Sequence, residues 1–369
     1  MLHINSQSIS HSEGKMASYV DMLGFLNLPG PNPDVSQENI ARLREARRSG
    51  LRLMHVTGAP PWCRNVAEAA SHLNMFRFAY EEAGIITTVR DTVDLERVLA
   101  DRSYDKDSTK IGVIWGLQGC PIDLAGRTIS QQVGLLHARG CRIMGLAYDD
   151  ATPFGCGWRA ETTTRDTGLT DSGKVLIANM AMVGMILDLA HAGSRTALQA
   201  AQYAATVSCK VMISHTGAYR ARTIKRNATD HVMDAVMDAG GLVCCYLLTF
   251  GLKSRNGSSL DIINRHITAM CGLRGVNYVG IGTDGCATGY PSREVWSQFF
   301  YILKDKLDPD GTFGARFPDQ PDTPPGMLTP QRLVTLHNHL AEVCGPDNAD
   351  KIMGDNAIRF LRSALPQAA

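Results

Sequence analysis

The sequence predicts an α/β fold of the (β/α)8 TIM-barrel type. Eight short, β-rich apolar runs recur along the 369 residues, and amphipathic helical stretches separate them, which is the pattern of repeated strand–helix units around a parallel sheet buried on both faces. Polar residues gather at the C-terminal ends of these runs, where such a barrel concentrates its chemistry. An open doubly wound sheet gives the same alternation. Closure is preferred here because it removes both sheet edges.

In chain order the runs are Met1 to Asn5, Leu51 to Val56, Ile111 to Leu117, Arg142 to Tyr148, Met185 to Ala190, Lys210 to Ser214, Gly241 to Tyr246 and Tyr278 to Thr283. The stretches ISQQVGLLHARG, SGKVLIANMAMVG, SRTALQAAQYAA and DHVMDAVMDAGG lie between them. Their apolar residues fall at three- and four-residue spacing, and glycine often ends them. Ile86 to Ser108 adds an extra segment, and the Pro-, Asp- and Gly-rich Asp308 to Pro330 reads as an excursion before closing helices over about 329–363. Neither a repeat nor a second domain is indicated, so 1–369 reads as one barrel domain.

Composition narrows the partners. Lys plus Arg (37) nearly balance Asp plus Glu (36) for a net charge of +1, leaving no broad basic field for nucleic acid or a membrane surface. The N-terminal MLHINSQSIS has no basic stretch followed by an apolar one, and no membrane-length apolar run occurs. The ten cysteines are scattered without a CxxC pair, which predicts buried thiols in a cytoplasmic protein rather than disulfides or a zinc ribbon.

The residues at the strand ends are His3 and Asn5, His55, Gln118, Tyr148, His191, His215 and Asp284. Any one of them alone reads as an ordinary hydrogen-bonded barrel residue, His55 especially. Their convergence on one mouth points to a site.

Three segments resemble, in order, signature stretches of the renal (membrane) dipeptidase family, peptidase family M19: GMILDLAH, ISHTGAYRARTIKRNATD and YVGIGTDG. GLTDSGKVLIANM and MGDNAIRFLR extend the resemblance over nearly the whole chain. The resemblance implies a metallo-dependent hydrolase-like barrel, a small-molecule substrate and homodimers. It also implies zinc on His191 and His215, a carboxylate grip by Arg226 with Asn227 beside it, and proton handling by Asp284. In the family two zinc ions share a bridging carboxylate.

Three positions depart from that pattern. His3-Ile4-Asn5 stands where the family has His-x-Asp, Gln118 where it has the bridging Glu, and Tyr148 where it has a His that assists the tetrahedral intermediate. Two carboxylates have become carboxamides, poor partners for two adjacent dications. One zinc ion is therefore expected rather than two, held by His3, His191 and His215 with Asn5, Gln118 and Asp284 around it. Cys120 and Cys286 read as packed thiols. The expected activity is metal-dependent hydrolysis of a dipeptide-like or small amide substrate bearing a carboxylate, with Asp284 and Tyr148 as catalytic groups and Tyr148 also contacting substrate. The alternatives are a non-hydrolytic biosynthetic enzyme using Tyr148, Asp284 or Cys120, and a catalytically silent relative that binds a small carboxylate. Selectivity is assigned to the loops Asp149 to Asp166 and Leu247 to Ser259.

Overall fold

A computed structural model of the chain describes residues 18–101, 110–163, 166–252, 259–292, 294–298 and 325–367. Eight parallel strands follow the chain order round the sheet: β1 (Tyr19–Phe25), β2 (Leu51–Thr57), β3 (Ile111–Leu117), β4 (Cys141–Gly145), β5 (Ile186–Asp188), β6 (Val211–Thr216), β7 (Leu242–Cys245) and β8 (Val279–Ile281). The chain runs on from β8 to Gly285–Cys286, which pairs with β1 through Gly24 opposite Gly285 and Phe25 opposite Cys286. Because β8 itself pairs with β7, the sheet closes on itself.

Seven of the eight expected runs carry barrel strands, and the first requires a correction. Met1 to Asn5 lies outside the described residues, and the place beside β2 is filled by Tyr19–Phe25. The extra segment after Ile86 forms a short strand, Ile86–Thr88, on the lower half of β3, followed by the helix Thr92–Ala100. The regular ladder of β4 stops at Gly145 and that of β5 at Asp188, so Tyr148 and His191 stand on the bends beyond the strands.

Local sequence sets the helix boundaries. Ser36, Asn65, Asp91, Thr128 and Thr170 each accept a backbone N–H of the first turn that would otherwise lack a partner. The helices Ile129–Ala138 and Asp171–Met182 end shortly before Gly140 and Gly184, both in the left-handed region.

The barrel interior holds a buried apolar layer that includes Val20, Leu53, Ile114, Ile143, Ile186 and Met212. The final helix, Asn356–Ala364, packs Ile358 and Leu361 onto this layer. Its first residue, Asn356, donates to the carbonyls of Val276 and Val279 at the start of β8, which places the helix at the N-terminal end of the barrel. The opposite, C-terminal end is left for chemistry.

Candidate active site at the barrel mouth

His191 and His215 meet at that end, with their Nε2 atoms 2.9 Å apart and both rings buried. Neighbouring carboxylates fix their tautomers. His191 Nδ1 lies 2.9 Å from Asp149 Oδ1, an acceptor, so Nδ1 carries the proton and Nε2 a lone pair. Ser214 donates its only hydroxyl hydrogen to Asp188 Oδ2 at 2.5 Å and must therefore accept from His215 Nδ1 at 2.7 Å, which leaves a lone pair on His215 Nε2 as well. The Oε1 atom of Gln118 adds a third acceptor 3.0 Å from His191 Nε2. Gln118 reaches this place because Gly145 has no side chain: a Cβ there would lie 2.1 Å from the Gln118 carbonyl oxygen.

Such crowding of acceptors suits a cation. Two nitrogens bound at about 2.0–2.1 Å to one ion stand roughly 2.9–3.4 Å apart, depending on the angle, and the imidazoles already have that spacing. Burial, reinforced by the Arg226 charge, pushes His191 down to about 4 and His215 well below its ordinary value, so both are neutral and able to ligate. The described donors lack the acids that a family-type pair of ions shares. Position 118 offers an amide instead of a bridging carboxylate, and the mouth end of β1 reads Leu23-Gly24-Phe25, without an imidazole or an acid.

Asp284 sits next to this pair, its Oδ2 3.9 Å from His215 Nε2. Its φ of 51° is in the left-handed region, a conformation that costs a non-glycine residue about 1–2 kcal/mol. Its N–H bonds to the Leu23 carbonyl at 2.8 Å, and this tie between β1 and the last strand holds the strained residue in place. Burial raises its carboxyl to about 6, against the lowering effect of Arg226. For Asp149 burial also acts upward, yet the hydrogen bonds from His191 and Trp158 and the Arg226 charge outweigh it and keep the carboxyl below its ordinary value. Tyr148 stacks on His191 with ring centroids 4.0 Å apart. Burial and the nearby Asp149 and Asp284 raise its phenol well above the usual value, so it is a neutral hydroxyl.

Arg226 lies on the loop after β6. Its Nη1 donates to the Ala190 carbonyl at 2.6 Å, and its Nη2 stands 3.3 Å from His191 Nε2. Asn227, next to Arg226, is buried and hydrogen-bonded within the fold. Its amide donates to the carbonyls of Arg222 and Gly251 and accepts from the Tyr246 hydroxyl, an arrangement that anchors the loop carrying Arg226.

The structure thus brings Gln118, Tyr148, His191, His215, Arg226 and Asp284 together. His3 and Asn5 lie outside the described residues. His55 is fully buried, with its Nδ1 2.8 Å from the Met22 carbonyl. Burial pushes the Cys120 and Cys286 thiols up to about 12, as packed thiols should be. Sequence reasoning missed Asp149, Asp188 and Ser214, which orient the imidazoles. The available signal was an acid inside or directly after an apolar strand run, in ILDLAH and LAYDD.

A closed (β/α)8 barrel with imidazoles converging at its C-terminal mouth defines the metallo-dependent hydrolase class of barrels. The chain belongs to the membrane dipeptidase family, peptidase family M19, whose model matches residues 35–295. It is 28% identical over 178 residues to the dipeptidase aclJ of Aspergillus oryzae, a match covering 47% of this chain and 41% of that relative, so it spans about two fifths of the relative's length. Among solved structures it is similar to an amidohydrolase from Pseudomonas aeruginosa, with a TM-score of 0.73, 21% identity and coverage of 95% of this chain and 97% of that one. It is also similar to a metallopeptidase from Rhodobacter sphaeroides liganded with a phosphinate mimic of the dipeptide L-Ala-D-Ala, with a TM-score of 0.66, 15% identity and coverage of 95% and 100%. At these identities the structural likeness speaks to the fold. No described helix is long and apolar enough to cross a membrane.

Proposed function

We propose that the protein is a metal-dependent hydrolase of dipeptide-like or small amide substrates bearing a carboxylate, with a single zinc ion held by His191 and His215 beside Gln118 and Asp284. The observation that carries this reading is the convergence of two imidazole lone pairs, each turned toward the same point by its own carboxylate relay. A divalent ion there supplies Lewis-acid polarisation of a carbonyl and acidifies water. Arg226 holds the substrate carboxylate by charge-assisted hydrogen bonds and so fixes the register of the adjacent amide. Asp284, raised to about 6, is largely ionised at neutral pH and takes the proton from the attacking water, then returns it to the leaving amine. Tyr148, a neutral phenol against His191, donates to the carbonyl oxygen as negative charge gathers on it. Family kinship supports homodimers, and the ten free thiols support a reducing, cytoplasmic setting.

One observation favours a second reading, non-hydrolytic acid–base chemistry at the same mouth: Arg226 Nη2 competes for the lone pair of His191 Nε2 at 3.3 Å. Metal analysis separates the two. Substituting both histidines (His191→Ala with His215→Ala) is expected to remove one equivalent of zinc together with hydrolysis, while Arg226→Ala raises KM for a carboxylated substrate and keeps the zinc. Activity that survives chelation, with the same metal content in the double variant, excludes the hydrolase reading.

A further inference from the structure

Among the described residues, one trio of His, Cys and carboxylate donor atoms lies within 4.8 Å of one another, and it is outside the mouth: Cys63, Glu68 and His72. The local sequence dictates the cluster. Asn65 caps the helix Val66–Glu82 by accepting from Glu68 N at 2.9 Å, so Glu68 is in the first turn and His72 stands four residues on, along the same face. Cys63 precedes the cap, in a turn closed by its N–H on the Pro60 carbonyl at 3.1 Å. Glu68 Oε2 accepts from Arg64 N at 2.9 Å, which steadies the carboxylate without using its other oxygen. His72 Nδ1 is shielded from solvent and has no hydrogen-bond partner among the described residues.

We propose that Cys63, Glu68 and His72 form a second cation site, for a divalent ion of the borderline class such as zinc or cobalt(II), at the rim of the barrel. Thiolate, imidazole and carboxylate are the ligand types such ions take, and three protein ligands leave one tetrahedral position for solvent or a small ligand. Binding forms the metal–sulfur bond and releases the thiol proton to solvent. The site lies against the segment that carries Gln118. Cys63 shares a crevice with Leu117 and Gly119, the two neighbours of Gln118, and the Pro61 carbonyl packs so closely on Gly119 that a Cβ there would lie 2.4 Å from it. An ion on Cys63 braces the loop that presents Gln118 to His191.

The inference does not rest on the hydrolytic reading, and its test leaves that reading aside. Cobalt(II) is titrated into the full chain carrying His191→Ala and His215→Ala. One equivalent is expected to bind with a thiolate-to-cobalt charge-transfer band in the near ultraviolet, lost in a further Cys63→Ser variant and weakened by His72→Ala. In the unsubstituted chain, zinc is expected to protect Cys63 from alkylation, read by peptide mass, so that no variant has to fold. Absence of the band, its survival in Cys63→Ser, or unprotected alkylation of Cys63 at saturating zinc overturns the site. The mouth donors contain no sulfur, so such a failure is separate from any failure there.

Discussion

Two carboxylates decide what the paired imidazoles can do. Asp149 holds the proton of His191 on Nδ1, and Asp188 does the same for His215 through the Ser214 hydroxyl. Substituting Asp149→Asn preserves its shape but removes the charge that selects the tautomer. Zinc affinity at the mouth is expected to fall about 10- to 100-fold, the usual cost of losing such an outer partner; calorimetry that finds unchanged affinity removes Asp149 from this role. Asp21 presents the opposite balance. It is fully buried, accepting from Thr283 and lying 3.4 Å from Arg332, yet burial outweighs these partners and raises its carboxyl to about 6. A folded-state value above the unfolded one stabilises the protein below about pH 4, and that stabilisation is lost as pH rises through about 6. Wild type should therefore lose up to about 3 kcal/mol relative to Asp21→Asn between pH 4 and pH 7, since each tenfold difference in proton affinity between the folded and unfolded chain is worth about 1.4 kcal/mol. Denaturant melts at the two pH values measure the gap. An equal gap at both means that Arg332, and not burial, governs Asp21.

At the scale of elements, most of the barrel was legible because its signals are local. Apolar runs with strand propensity gave seven strands close to their observed places, and apolar spacing with capping residues marked the helices. β1 was not legible for a physical reason: YVDMLGF carries an acid in the middle of a buried strand, which breaks the apolar run, and the groups that make it tolerable, Thr283 and Arg332, are 262 and 311 residues away. The His-x-Asn near the chain start looked more like a strand-one motif than the strand itself. Likewise Gln118, His191 and His215 stood out by type and place, whereas Ser214 and Asp188 matter only through a contact between adjacent strands, β5 and β6. Closeness of strands also yields a test. Alanine at position 145 on β4 would drive the Gln118 backbone outward, because its Cβ would lie 2.1 Å from the carbonyl oxygen. Gly145→Ala is expected to cost about 1–3 kcal/mol and to weaken zinc binding at the mouth while far-ultraviolet circular dichroism stays that of the wild type. Undiminished zinc affinity shows that Gln118 takes no part.

For the whole molecule, the barrel separates the end that holds it together from the end that carries the donors. The final helix stops the N-terminal opening with Ile358 and Leu361 against the interior layer, and Asn356 ties it to the start of β8. Leu361 is fully buried there, whereas His191, His215 and Asp284 belong to the C-terminal ends of β5, β6 and the last strand. Barrels of this kind divide their roles in the same way, with stability at one face and chemistry at the other. Leu361→Ala removes buried methyl groups from a packed plug and is expected to cost about 2–5 kcal/mol, lowering Tm and the denaturant midpoint. Zinc affinity and KM measured well below the new Tm should stay at the wild-type values, because no donor at the mouth touches the plug. A parallel loss of zinc affinity in that folded variant would mean that the interior layer transmits strain from plug to mouth, and the two ends would then have to be treated as one mechanical unit.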